Sequence, residues 1–230
     1  MWDNFGQQLY DNIILNGRWK LYLEGLGTTL IVTLGAAILG IIIGSLVAIC
    51  KVYAKDNKKL FILDKLCNVY LTVFRGTPVM VQLLIFSWVI FAAVPIDKLT
   101  WVGTLAFGVN SGAYVAEIVR AGIQAVNPGQ TEAGRSLGLT KNMTMRLIIM
   151  PQAVKNILPA LANEAITLLK ETAILGYIAV GDITYMAAWI RSRTYSPVPL
   201  FVTALVYLGI VMLMTRGMRK LERRLARSER

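Results

Sequence analysis

Long apolar segments alternate with shorter polar ones along the 230 residues of this chain. A helix rises ~1.5 Å per residue and must cross ~30 Å of hydrocarbon, so about 20 apolar residues suffice for one crossing. In the fourth apolar segment, Pro151 is expected to turn Met150 away from helical angles and to break or kink the helix, with Pro159 as a further kink. The pattern predicts five membrane-spanning helices, at about residues 21–50, 64–93, 99–126, 147–177 and 198–215.

The second apolar segment is interrupted by Arg75, Gly76, Thr77 and Pro78. Glycine and proline break a helix, and an arginine within the membrane is costly unless it is paired or hydrated. Such a break lines a cavity or gate better than it faces lipid. An equally open alternative is a kink near the cytoplasmic end, with the Arg75 side chain extending to lipid phosphates.

Two polar regions flank the last span. Residues 179–196 are too polar and too short to cross the membrane, so we expect a partly interfacial helix and loop there. In that region Asp182, Arg191 and Arg193 are expected to face water. Residues 216–230 form a basic amphipathic tail.

The longest polar interruption, residues 127–146, separates the third and fourth spans and is called the central loop below. Its polar groups cannot face lipid, so the loop must lie in water or against a protein. Asn127 followed by Pro128 is typical of a helix N-terminus, and Glu132 suits the positive end of that helix. Gly138 can end it.

A second helix is expected to begin after Thr140, which can serve as its N-cap, and to run into the fourth span. The central loop is therefore predicted to form a compact helix–turn–helix that projects from the membrane.

Composition supports a membrane protein and excludes several other classes. The chain is 56% apolar and only 16% charged, with a mean hydropathy of +0.57. Its net charge of +11 does not indicate a nucleic-acid partner, because the basic residues lie in short blocks beside apolar segments. Histidine is absent, and the spacing of Cys50 and Cys67 fits no metal motif, so a reduced pair is expected. We predict a single membrane domain over residues 1–230.

The basic blocks also predict the topology. They lie in residues 51–65, in the central loop and in the tail, and five spans place all three on one side of the membrane. The positive-inside rule assigns that side to the cytoplasm. The N-terminus is therefore predicted to be outside and the C-terminus cytoplasmic.

Three polar residues of the third span share one helical face, because Asn110, Tyr114 and Glu117 follow an i, i+4, i+7 spacing. A carboxylate within the membrane is by default a candidate functional group. The alternative is a structural pair between Glu117 and an arginine such as Arg120 or Arg75.

The fourth span carries a polar stripe that cannot face lipid. Its members fall within about 60° of one another at 100° per residue: Asn156, Asn163, Thr167 and Lys170. Glu164 and Glu171 flank the stripe. An amino acid substrate carries an ammonium and a carboxylate, so it needs both types of charge nearby. The alternative is that Lys170 is neutralised by Glu171 or Glu164 and only holds helices together.

The central loop resembles the EAA loop of ABC importer permeases. Glu132-Ala133, Gly138 six residues after the glutamate, Ile148 and Pro151 reproduce its spacing. The departures are Gly134 for the usual second alanine and Met150 for the usual leucine. Gly134 is expected to loosen the first helix by about 1 kcal/mol relative to alanine.

Three further segments resemble the polar amino acid branch of that family, and one of them is Ala113-Tyr114 with Glu117, Arg120, Gly122 and Ile123 in the third span. The other two are Phe74-Arg75-Gly76-Thr77-Pro78 followed by Val81-Gln82-Leu83, and Asn163-Glu164 with Thr167 and Lys170-Glu171-Thr172. The resemblance implies an all-α integral membrane protein with the type I ABC importer permease fold, five transmembrane helices and a cytoplasmic coupling helix. It also implies that the chain is not an enzyme and that it lies in a bacterial inner membrane.

The same resemblance implies the partners. Two ATP-binding cassette subunits would bind ATP and Mg, so this chain would carry no cofactor, and its sequence contains no G-x-x-x-x-G-K-[ST] motif. A second permease copy or similar subunit, an extracytoplasmic amino acid binding protein and the lipid bilayer complete the set. Docking to the ATPase would involve Gln130, Glu132, Ala133, Gly134, Arg135 and Gly138.

Two other functions remain open at this stage. An ion-coupled transporter or channel could also place Glu117 and Glu164 in the membrane, and it would act without an ATPase. An assembly scaffold could use the central loop only as a docking surface. Solute uptake with and without ATP separates these possibilities.

Overall fold

The computed structural model of the protein describes residues 5–54 and 60–227. Within these ranges the regular structure is entirely helical. The α-helices are α1 (Phe5–Leu9), α2 (Trp19–Ala54), α3 (Phe61–Gly76), α4 (Val79–Ile85), α5 (Leu99–Gln124), α6 (Pro128–Ser136), α7 (Lys141–Thr144), α8 (Met150–Glu171), α9 (Ile183–Thr194) and α10 (Val198–Arg227). Residues 55–59 of the predicted basic loop and 228–230 of the tail lie outside the described residues.

Three helical segments of the described chain are long and apolar enough to cross a membrane: Trp19–Ala54, Ile96–Gln124 and Val198–Leu225. Two bent pairs raise the number to five if each pair counts as one span: Phe61–Gly76 with Val79–Ile90, and Lys141–Ile178 with Ile183–Thr194. The all-α membrane fold agrees with the sequence prediction.

The break in the second span lies where glycine and proline predicted it, but it is much sharper than a kink. Thr77 and Pro78 are extended, with ψ values of 149° and 134°. The helices on either side meet at 110°. Residues 64–93 therefore form two helical segments that point in very different directions.

Helix α5 lies at the centre of the bundle, between α2 and α8. The close approach to α2 depends on Gly40 and Gly44, because a Cβ on Gly44 would lie only 2.6 Å from the Cβ of Val115. On the side of α8, a Cβ on Gly122 would lie 2.4 Å from Cγ1 of Ile157. These glycines allow backbones to pack tightly in a membrane, where close contact replaces the hydrophobic effect between helices.

The prediction that Met150 leaves helical angles is wrong. Met150 has φ −60° and ψ −41°, which are helical values. A π-helical turn, Met145–Ile149, precedes it, so Pro151 falls in the first turn of α8. A missing N–H is tolerated there, and one helical segment continues from Lys141 to Ile178. Pro159 lies inside α8, which continues past it.

Asp182 does not face water, contrary to the prediction. It is 0% exposed and caps α9 by accepting hydrogen bonds from the backbone N–H groups of Thr184 and Tyr185, at 3.1 and 3.0 Å. Helix α9 packs against α2, where Gly25 would carry a Cβ only 2.8 Å from Cα of Ile183. A carboxylate that satisfies a helix N-terminus can be buried at this joint. Arg191 and Arg193 are exposed, as predicted.

The last span and the basic tail form one element. Helix α10 continues without interruption from Val198 to Arg227, so the described part of the tail extends the span.

Candidate functional site

Helix α6 of the central loop begins as the sequence predicts. The Asn127 side chain accepts a hydrogen bond from the backbone N–H of Gly129 at 2.8 Å, and Pro128 occupies the first turn. Gly138 ends the segment with a positive φ of 81°. Glu132, however, is not at the positive end, because the first turn of α6 holds no acidic residue. It is exposed one turn further on.

The predicted docking residues differ in exposure. Gly134 is buried, while the others are exposed on the protein surface: Gln130, Glu132, Ala133, Arg135 and Gly138. Sequence reasoning missed Leu137, which is 80% exposed between them. The sequence could have indicated Leu137, because an apolar side chain within an otherwise polar loop is a candidate contact residue.

Gly134 has a packing role that the sequence did not reveal. A Cβ at this position would lie 2.8 Å from Cγ2 of Thr144 and 2.9 Å from Cδ1 of Ile148. The expectation that Gly134 simply loosens α6 is therefore incomplete. The glycine lets α6 rest directly on the start of the long segment Lys141–Ile178, where Thr140 accepts the N-cap hydrogen bond from the backbone N–H of Met143 at 3.3 Å.

The break between α3 and α4 is held by two buried amides. The Gln82 side chain donates to the carbonyl oxygens of Phe74 and Thr77, each at 3.0 Å, and to the Thr77 hydroxyl at 2.8 Å. Asn110 of α5 donates to Oε1 of Gln82 at 2.8 Å and to the Phe74 carbonyl at 3.2 Å. These bonds satisfy carbonyls left open where α3 ends. The Asn110 amide therefore stabilises the break. Gln82 is a structural residue that the site prediction omitted.

Arg75, Tyr114 and Glu117 come together near this break. Nη1 of Arg75 lies 3.7 Å from Oε2 of Glu117, and its guanidinium carbon lies 6.0 Å from the centre of the Tyr114 ring. Arg120 forms a second, two-pronged contact with Glu117. The structural alternative for Glu117 is therefore the one observed, with both arginines as partners. A Cβ at Gly76 would meet open space.

The polar faces of α5 and α8 meet at a different pair. The Ser111 hydroxyl donates to Oε1 of Glu164 at 2.8 Å. Glu164 forms no ion pair within 4 Å among the described residues, and neither does Lys170, so the proposed Lys170–Glu164 or Lys170–Glu171 pairing is not observed. Ser111 follows Asn110 in the sequence, but it points to another neighbour because consecutive helical residues are 100° apart.

The remaining stripe on α8 faces away from the core of this chain. Asn156, Asn163 and Lys170 are exposed, and Thr167 is partly exposed. Polar groups at this depth need a polar neighbour or water.

A family model described as "binding-protein-dependent transport system inner membrane component" matches residues 38–227. The chain belongs to this family. Its members are transport permeases and not enzymes, and nucleotide is bound by their ATPase partners and not by the permease. This permease is a multi-pass inner membrane protein.

Known relatives of the permease are named for amino acid transport. A putative glutamine transport system permease protein of Rickettsia felis is 41% identical over 197 residues, covering 84% of this chain and 87% of the relative. The arginine transport system permease protein of Bacillus subtilis is 39% identical over 206 residues, covering 88% and 91%.

Solved structures show the same fold. A crystal structure of an amino acid ABC transporter with histidines has 42% sequence identity and a TM-score of 0.81, over 89% of this chain and 94% of that chain. An inward-facing MetNI methionine ABC transporter has 18% identity and a TM-score of 0.79, over 92% and 99%. The second likeness concerns the fold alone. It is the type I ABC importer permease fold that the resemblance implied.

Proposed function

We propose that this chain is the permease subunit of an ATP-driven importer of a polar amino acid. Its translocation pathway runs beside α5 and α8, and the central loop couples it to the ATPase. The observation that supports the coupling is the packing of α6. Because residue 134 is a glycine, α6 lies directly against Thr144 and Ile148. Both belong to the continuous helical segment Lys141–Ile178, which also carries Glu164. A displacement of α6 by an ATPase would therefore move the pathway directly.

The substrate class rests on the relatives and on the polar groups of α8. Glutamine and arginine are named for the two permeases above, and both are polar amino acids. Glu164 offers a carboxylate to an ammonium or guanidinium group, while Lys170 and Asn163 offer donors to a carboxylate. We assign the substrate pathway to Asn163, Glu164, Thr167 and Lys170, with Tyr114 and Glu117 at its α5 side.

The break at Arg75, Gly76, Thr77 and Pro78 is the proposed gate. Its extended residues need side-chain amides to satisfy the backbone, and the Arg75–Glu117 contact joins it to α5. Because side chains and not a regular helix hold the backbone here, the break is the part of the second span where a rearrangement is expected to begin. Asn110 acts here as a residue that holds the gate and not as a substrate ligand.

The assembly contains two ATPase subunits, a second permease copy or a similar permease, and an extracytoplasmic binding protein. The exposed stripe Asn156, Asn163 and Lys170 supports a second permease, because these polar groups cannot face lipid and a partner across the pathway would enclose them. The N-terminus lies outside and the C-terminus in the cytoplasm, following the positive-inside rule.

Uptake by proteoliposomes tests the proposal. The permease is reconstituted with its ATPase subunits, and labelled arginine or glutamine is supplied with the binding protein. Accumulation is expected only with hydrolysable ATP on the ATPase side. Uptake that follows an ion gradient without ATP would establish the ion-coupled transporter or channel instead. Binding of the ATPase without any uptake would favour a scaffold.

A further inference from the structure

A groove with apolar walls lies between α2, α5 and the Lys141–Ile178 segment, and we call it the lateral groove. Its volume is about 610 Å³. The apolar side chains that line it include Ile49, Val119, Ile123, Val154, Leu158 and Leu161. Val119 also belongs to the buried cluster that packs α5 against α8, so the floor of the groove is part of the folded core.

The lateral groove faces away from the proposed substrate pathway. Val154 precedes Asn163 by nine residues, and Leu161 precedes Lys170 by the same number. Nine residues turn an α-helix by about 900°, which places the members of each pair on opposite sides of α8. The groove therefore lies on the face of α8 opposite its polar stripe, where Val154 is exposed and suited to lipid.

The groove has the depth of about one lipid leaflet. It follows α2 from Ser45 to Tyr53, a distance of about 12 Å along the helix. The hydrocarbon core of a bilayer is ~30 Å thick, so one leaflet contributes ~15 Å. Tyr53 lies in the last turn of α2, which ends at Ala54, so the groove runs from this end of the helix toward the middle of the span.

Polar side chains gather at the central-loop end of the groove. They are Tyr53 of α2 with Asn142 and Arg146 from the start of the Lys141–Ile178 segment. Arg146 is exposed and forms no ion pair within 4 Å among the described residues. In the described part of the chain, no aspartate or glutamate lines the groove. The mouth of an apolar groove thus carries an uncompensated positive charge, which favours binding of an anion.

The neighbouring cations already have partners. A smaller cavity shares a wall with the groove and is lined by Lys51, Asp64 and Arg120. Lys51 pairs with Asp64 at 3.3 Å, and Arg120 pairs with Glu117. Of these three described cations, Arg146 is the one whose charge is left for an external anion.

An anionic phospholipid matches this arrangement better than an extended protein segment. Its acyl chain needs no hydrogen bonds, whereas an extended peptide would leave backbone groups unpaired against the apolar walls. Its phosphate would accept hydrogen bonds from the Arg146 guanidinium, with the Asn142 amide as a further donor. In the proposed orientation the mouth lies at the cytoplasmic surface, where anionic lipids attract basic groups.

We infer that the lateral groove binds an anionic phospholipid, with an acyl chain against Val119 and Leu158 and the phosphate at Arg146. This site goes beyond the proposed function, and only its assignment to the cytoplasmic leaflet rests on the proposed orientation. The bound lipid would connect α2 and α5 to the segment on which α6 rests, because Arg146 lies between Thr144 and Ile148 in the chain. ATP-driven uptake is therefore expected to depend on anionic lipid.

Native mass spectrometry of the permease with its ATPase subunits measures this binding. Phosphatidylglycerol and phosphatidylcholine with identical acyl chains are added separately to the delipidated assembly, and the apparent Kd of each is determined. The wild type is expected to bind phosphatidylglycerol about tenfold more tightly, and Arg146→Gln should abolish that preference. Arg216→Gln is the matched control, because it changes an exposed arginine of α10 outside the groove, and it should keep the preference.

Val154→Phe tests the apolar part of the site and leaves Arg146 in place. The larger side chain should fill the groove and weaken binding of both lipids several-fold. Val69→Phe changes an exposed valine of α3 outside the groove and should leave both Kd values unchanged. Excess inorganic phosphate should not displace phosphatidylglycerol, and displacement would show a site for anions alone, which overturns the inference.

The other outcomes also decide the question. Equal affinities for the two lipids in the wild type, or an equal loss of preference in Arg216→Gln, would reduce the effect to general surface charge and overturn the inference. A wild-type assembly that binds no phospholipid would overturn it too, since another protein subunit would then cover the groove. These measurements involve no transport, so the inference can fail while the proposed function stands. Absence of ATP-driven uptake in every lipid mixture would instead reject the proposed function without changing the Kd values.

Discussion

At the residue scale, two of the carboxylates within the spans, Glu117 and Glu164, have different environments. Glu117 is held by Arg75 and Arg120, so its charge is compensated inside the chain. Glu164 has only the Ser111 hydroxyl as a hydrogen-bond partner among the described side chains, and no cation within 4 Å. Of the two, Glu164 is therefore the carboxylate available to a cationic solute.

Glu164→Gln tests this assignment, because it keeps the volume and the acceptor for Ser111 but removes the charge. We expect uptake of arginine to fall far more than uptake of glutamine, since losing a paired charge contact costs on the order of 2–5 kcal/mol. Competition among arginine, glutamine and glutamate in proteoliposomes is the measurement. Glu24→Gln, which changes an exposed acid near the start of α2, is the control. Equal changes for all three solutes would remove Glu164 from substrate discrimination.

At the scale of elements, the contact between α6 and the Lys141–Ile178 segment links the central loop to the spans. Helix propensity alone favours alanine over glycine at position 134, whereas a Cβ there would force Thr144, Ile148 or α6 itself to shift. The contact also explains why this chain tolerates a departure from the usual alanine.

Gly134→Ala distinguishes propensity from packing. Propensity predicts a gain of about 1 kcal/mol in helix stability, while the clash with Thr144 and Ile148 predicts displacement of α6. We expect the second effect to dominate and ATP-driven uptake to fall several-fold, with lower affinity for the ATPase. Gly209→Ala in α10, where a Cβ meets open space, is the control and should be harmless. Unchanged coupling in Gly134→Ala would show that α6 can shift without consequence.

Glu132→Lys tests the exposed face of α6. The side chain lies on the surface, so the fold should survive, and the reversed charge should oppose contact with the ATPase. Co-purification with the ATPase subunit and uptake should both drop, while the amount of permease in the membrane stays constant. The coupling role would be rejected if association and uptake matched the wild type.

At the scale of the whole molecule, the orientation in the membrane decides which partner proteins each end of the bundle can contact. The central loop lies near the last turn of α2 and Tyr195 lies near its first turn, so the two are at opposite ends of the bundle. With the positive-inside orientation that we propose, the central loop would contact the ATPase subunits in the cytoplasm.

Cysteine labelling checks this orientation. In a background lacking Cys50 and Cys67, Gln7→Cys should react with an impermeant thiol reagent added outside intact cells, and Arg219→Cys should react only after lysis. Both positions are exposed in the structure, so accessibility does not depend on unfolding. The reverse pattern would invert the topology and remove the central loop from the ATP side.

The sequence by itself determined features that depend on local chemistry. The lengths of apolar segments predicted the spans, and the caps at Asn127 and Thr140 predicted the central loop helices. Proline and glycine located the break after Gly76. Each of these follows from properties of neighbouring residues, which a sequence displays directly.

Only the tertiary structure decided which partner each polar group has. Ser111 and Glu164 are 53 residues apart, and Gln82 and Asn110 are 28 apart, so their contacts depend on how helices rotate and cross. Asp182 is buried because α9 packs onto α2 at a glycine, and glycine suits position 134 because α6 folds back onto Thr144 and Ile148. A one-residue step turns a helical side chain by 100°, so small differences in packing redirect it to another neighbour.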